Sequence, residues 1–118
     1  MGSMSETEGK TPAGALPLDG LEPDARNALV ADRIFGKAEL RGRPFTTDLL
    51  TAMLVVERVS DDGYNFKCHV GPDGRSRVSF LREDKAGDKP SVVDVSGETL
   101  PVAICNAALE LQRRLAKA

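Results

Sequence analysis

From Thr99 to Lys117 the chain reads TLPVAICNAALELQRRLAK. Leu100, Ile104, Ala107, Ala108, Leu111 and Leu115 recur at helical spacing and make one apolar stripe. Asn106, Glu110, Arg113 and Lys117 are expected to point elsewhere. Cys105 and Leu109 lie beside the stripe and widen it enough to cover a sheet. Glu110 and Arg114, four residues apart, add a favourable surface pair. This is the longest periodic segment of the chain, and a helix of this kind folds only against a matching surface. The rest of the sequence must supply that surface.

Aromatic residues make up only 4% of the 118, with no Trp, so the core has to be aliphatic and rich in Ala. Met1-Gly2-Ser3 ahead of Met4 reads as a tag remnant, and the stretch to residue 22 as a disordered tail. Within that tail Leu16, Leu18 and Leu21 are the residues able to touch a domain spanning 23–118. Pro23-Asp24 starts a first helix that Gly36 ends. Lys37 to Pro44 is a polar loop. A second helix follows, with Thr46 or Thr47 as its cap and Asp48 in its first turn. Its expected inward stripe is Leu49, Ala52, Met53, Val56 and Val59, flanked by Leu50 and Leu54. Asp61-Asp62-Gly63 ends it.

The period then changes from 3.6 to 2. Tyr64, Phe66, Cys68 and Val70 alternate with Asn65, Lys67 and His69, as in a half-buried strand. Gly71-Pro72-Asp73-Gly74 is a turn. Arg75 to Glu83 returns as a second strand with Val78 and Phe80 inward, Asp84 to Lys89 is a charged turn, and Ser91 to Val95 is a short third strand. The order α-α-β-β-β-α defines an α+β domain, a three-stranded antiparallel sheet packed with helices.

Three stretches in this order resemble the phage ABA-sandwich domain family. Val30 to Gly36 is similar to its first helix and Gly stop. Phe45-Thr46-Thr47-Asp48 with Ala52 to Glu57 is similar to its aromatic-Thr-Asp opening and Val-Val-Glu helix. Leu100 to Leu109, LPVAICNAAL, is similar to its closing helix. Met53 stands where the family often has Trp, and the second strand lacks Trp too. The resemblance implies a phage or prophage origin, a cytoplasmic place in the host cell and helices on both sheet faces. It carries no established activity.

Catalytic sets are missing from the sequence. His69 is the only histidine, which rules out a metal cluster built on histidines, and strand alternation separates it from Cys68. Cys68 and Cys105 read as two buried thiols. The acids Asp61, Asp62, Glu83, Asp84 and Asp88 fall at turns, where acids are common without catalysis. No Walker, Rossmann or Gly-x-Ser-x-Gly pattern is present. No catalytic residue, metal ligand or cofactor is therefore assigned. The formal net charge of −2 makes no case for nucleic acid or an anionic membrane. No apolar run reaches the roughly 18 residues of a membrane span.

One local basic cluster stands out. Lys67, His69, Arg75 and Arg77, with Arg82, can share the polar sheet face, and Arg41 and Arg43 can lie nearby. That cluster is the candidate ligand site, suited to a small anion. The expected function is non-catalytic binding of a protein partner or small anionic ligand, with a homo-oligomer compatible. Two alternatives compete. The second helix, three strands and last helix follow the order of a double-stranded RNA-binding module, but Leu100 to Ala103 are apolar where that module needs lysines. A small enzyme would have to use the turn carboxylates.

Overall fold

The change of period after Gly63 is where helix gives way to sheet. The computed structural model describes residues 16–82 and 91–117. Strands β1 (Asn65–Val70), β2 (Ser76–Arg82) and β3 (Ser91–Gly97) form an antiparallel sheet in the order β1-β2-β3. Phe66 lies opposite Phe80, Cys68 opposite Val78, and Val78 opposite Val95. Strand alternation gathers these residues on an inner face and sends Lys67, His69, Arg77 and Asp94 to the outer one. The β1–β2 turn forms as its residues demand. Gly71 donates its N–H to the Arg75 carbonyl at 2.8 Å, Gly74 takes the left-handed φ of 86°, and the Asp73 side chain accepts the Arg75 N–H at 3.1 Å. The charged turn expected at Asp84 to Lys89 lies outside the described residues, as do Glu83 and residues 1–15.

Helix α1 (Pro23–Val30) opens on Pro at its first position, where a missing N–H costs nothing, and continues as a single π-helical turn, Ala31–Phe35. Gly36 stops it in the left-handed region, at φ 64°. A short 3-10 turn, Ala38–Leu40, follows within the expected loop.

Helix α2 (Leu49–Ser60) starts one step later than expected. Asp48 itself is the cap, and its carboxylate accepts the Thr51 N–H at 2.9 Å and the Thr51 hydroxyl at 2.6 Å. Thr46 is buried instead, donating from its N–H (3.0 Å) and hydroxyl (2.9 Å) to the Asn27 side chain. That pair ties α1 to the approach of α2.

Helix α3 (Leu100–Lys117) rests on β2 and β3, with α2 and the π turn against it. Its first turn is capped by Thr99, whose hydroxyl accepts the Val102 N–H at 3.3 Å. The approach to the sheet is close at one point. A Cβ on Gly97 would lie 2.8 Å from the Ala103 nitrogen and 2.9 Å from its Cα, so only glycine fits there.

Every residue from Val102 to Leu111 is buried, which makes α3 the middle layer of the molecule. This corrects the expected polar side. Asn106 is only 2% exposed and accepts the Leu18 N–H at 2.9 Å, bringing a fully buried Leu18 onto α3. Glu110 is also buried, paired with Arg113 and with Arg114. Leu115, by contrast, has left the stripe and is half exposed.

Candidate binding surfaces

The outer sheet face carries the cluster expected from the sequence. His69 lies directly opposite Arg77, and Lys67 opposite Ser79. Arg75 precedes β2 and continues the same alternation. No helix covers this face among the described residues, a departure from the helices on both sheet faces that the resemblance implies: the π turn packs on α3, and Lys67, His69 and Arg77 are exposed. Arg82 does not join them. It alternates onto the inner side, sets its guanidinium 4.8 Å from the centre of the Tyr64 ring and donates to the Asp62 carbonyl at 3.4 Å. Arg41 is engaged elsewhere, bonded at 2.8 Å to Asp32 of the π turn.

The cluster is also less cationic than its sequence suggests. Arg77 makes a two-pronged contact with Asp94, both bonds 2.7 Å long. Hydrogen bonding to Arg77 holds the Asp94 carboxyl below the usual carboxylate range, against the opposing effect of its partial burial. Lys67 and Arg75 are left as the cations without an ion pair on this face among the described residues.

A different surface emerges from α2. The residues it buries are Ala52, Val55, Val56 and Val59. Leu49 (44%), Leu50 (81%), Met53 (40%) and Leu54 (41%) remain exposed. The expected stripe is thus rotated: Leu49 and Met53 point outward and Val55 points in. The reason is visible in the composition of the helix. Eight of its twelve residues are apolar, more than one face can hold, so periodicity alone could not choose the inner side. That excess was the available signal of a second apolar face.

The inner face of β1 is open as well. Phe66 is half-buried against Phe80, but Cys68 is exposed and Val70 is 53% exposed. Cys68 is therefore not the buried thiol expected. Helix α3 rests on β2 and β3, and α2 touches β1 at few points, so no described element roofs the edge strand beyond Phe66. Cys105 is buried as expected, its thiol pushed up to about 12 by burial and donating to the Phe45 carbonyl at 3.5 Å.

The described residues hold no group of three or more His, Cys, Asp and Glu placed to bind a metal ion. Of the paired turn acids, Asp62 is taken up by Arg58 at 3.4 Å. An open cavity of about 680 Å³ lies between α1, the π turn and the second half of α3, with Leu29, Leu109 and Ala116 among its apolar lining and Arg33 and Gln112 at its rim. The Gln112 amide donates to the Arg33 carbonyl there. Tyr64 is buried, and among the described residues its hydroxyl has no hydrogen-bond partner. No described helix is long and apolar enough to cross a membrane. No protein family, curated protein or solved structure matches this chain.

Proposed function

We propose that the protein is a non-catalytic accessory protein of the phage ABA-sandwich type, which works in the cytoplasm by binding a protein partner. The observation that carries this is the apolar face of α2. A small domain gains nothing in stability from four large apolar side chains left in water, and contiguous exposed apolar residues of this kind mark interaction sites. A small anionic ligand on the outer sheet face is a weaker fit, because Arg77 is already neutralised by Asp94. Duplex RNA fits less well still, since the first turns of α3 carry Leu100, Pro101 and Val102, the last of them buried.

The test replaces Leu50 and Leu54 with Gln and compares the variant with the natural chain by cross-linking and mass spectrometry. The expected outcome is a specific protein contact through α2 that the variant loses while its thermal melt is unchanged. Equal cross-linking by both chains, or substrate turnover by the pure protein, would refute the proposal.

A further inference from the structure

The apolar face of α2 is one of two unfinished surfaces, and the other is the free edge of β1. Gly71 bonds to Arg75 in continuation of the β1–β2 register, so the odd-numbered residues of β1 are those that exchange backbone hydrogen bonds with β2. The N–H and C=O groups of Phe66, Cys68 and Val70 therefore point off the sheet. No described residue bonds to them. Edge strands are normally protected by proline, a bulge, an inward-pointing charge or a lysine on the edge, and of these β1 has only Lys67, on its outer side. Its side chains on the inner side are Phe66, Cys68 and Val70, all apolar and the last two exposed.

One end of each surface can be placed against the start of α3. Phe45 accepts from Cys105 in the second turn of α3, and Thr46 and Thr47 share a cavity with Thr99, Pro101 and Val102. The first turn of α2 thus sits beside the start of α3, which follows directly from Gly97. Gly97 lies opposite Ser76, and Ser76 opposite Val70. The first turn of α2, with Leu49 and Leu50, and the Val70 end of β1 are thus both on the side where α3 starts.

We infer that β1, supported by the apolar face of α2, joins two copies of this chain through an antiparallel β1–β1 pair centred on Cys68. The inference rests on the proposed binding role of α2 and names the occupant. The hydrogen-bond pattern allows only even-numbered residues to pair with even-numbered ones across the edge. Two registers then overlap well. A pair centred on Lys67 sets that ammonium against itself, which is repulsive. A pair centred on Cys68 sets Phe66 against Val70 and Lys67 against His69 of the second copy. The inner side becomes one apolar strip across the two-fold axis, and the joined sheets run six strands wide. Residues 1–15 of the same chain, MGSMSETEGKTPAGA, offer no alternating apolar residues to take this place.

The test is sedimentation equilibrium of the full chain over a wide range of micromolar concentrations, with two variants. The natural chain is expected to associate reversibly to a dimer. Cys68→Lys places two cations face to face in the strip and is expected to weaken association by about a hundredfold or more, with an unchanged melt at concentrations where the natural chain is monomeric, because the position is exposed in a single copy. His69→Glu gives Lys67 an opposite charge twice across the axis and is expected to tighten the dimer by about threefold or more. Diamide, which takes up the two hydrogens, should link Cys68 to Cys68 and leave the buried Cys105 reduced. A chain that stays monomeric, a dimer indifferent to Cys68→Lys, or a dimer that His69→Glu does not tighten would each overturn the inference. A monomer whose α2 still cross-links to another protein overturns the dimer and leaves the binding role standing; loss of both contacts removes both.

Discussion

Helices α2 and α3 treat their apolar residues in opposite ways. In α3 the run from Val102 to Leu111 is buried on every side, although it includes Asn106 and Glu110 and three alanines. In α2, a more apolar sequence, four large side chains stay exposed. Burial here follows position in the fold more than side-chain hydrophobicity. Helix α3 lies between the sheet and the α1–π-turn layer, so even its polar positions are enclosed and need partners: Asn106 takes the Leu18 amide, and Glu110 takes two arginines. Helix α2 lies at the margin with one face committed to the core, and its surplus of apolar side chains is available to another molecule.

The strongest way to break this contrast is to remove part of the middle layer. Truncation after Ala107 deletes Ala108, Leu109 and Leu111, and the product is expected to lose its cooperative melt; a sharp transition in calorimetry would show that the core lies elsewhere. Ile104→Ala, at a fully buried site, is expected to cost about 2–5 kcal/mol in urea unfolding. Gly97→Ala tests the closest contact of α3 with the sheet. Its new methyl group meets backbone that cannot turn aside, and the expected loss is about 1–3 kcal/mol by the same measurement. On α2 the contrast predicts near silence: Leu50→Gln with Leu54→Gln is expected to change the stability of the monomer by no more than about 0.5 kcal/mol per site, measured at concentrations below those at which the chain associates, while weakening association.

The sequence anticipated the architecture better than the surfaces. The switch from Val59 to Tyr64–Val70, the Gly71–Gly74 turn and the stripe of α3 are short-range patterns, and each was legible from spacing alone. Gly36 as a helix stop was equally plain. Enclosure is a long-range property and was not. Asn106 read as outward because its sequence neighbours give no hint that Leu18, 88 positions away, closes over it. Cys68 read as buried because alternation shows which face a residue takes, but not whether a second layer reaches that part of the sheet. The outer cluster was partly legible: Lys67, His69 and Arg77 do share a face. Its pairing with Asp94 depended on the β2–β3 register, which no local pattern specifies.

The smallest expected effect concerns that pairing. Asp94 has a lowered carboxyl pKa in the folded chain, so its contribution to stability is present above the unfolded value of about 4 and fades as pH falls through the lower folded value. Asp94→Asn should flatten this part of the acid-unfolding profile without altering the melt at neutral pH by more than a small amount, because the pair is exposed. An unchanged acid limb would show that Arg77 is free to meet an anion.

The bond between Leu18 and Asn106 also bears on how the chain comes into being on the ribosome. The hairpin of β1 and β2 can form as soon as it emerges, since its contacts are local. Leu18 cannot find its seat until α3 has been synthesised, and neither can the inner face of the sheet. Until then the nascent chain carries an unroofed sheet and every apolar residue of α2 at once. Contacts that span so much sequence fold slowly, which makes this interval the one in which nascent chains are most exposed to aggregation.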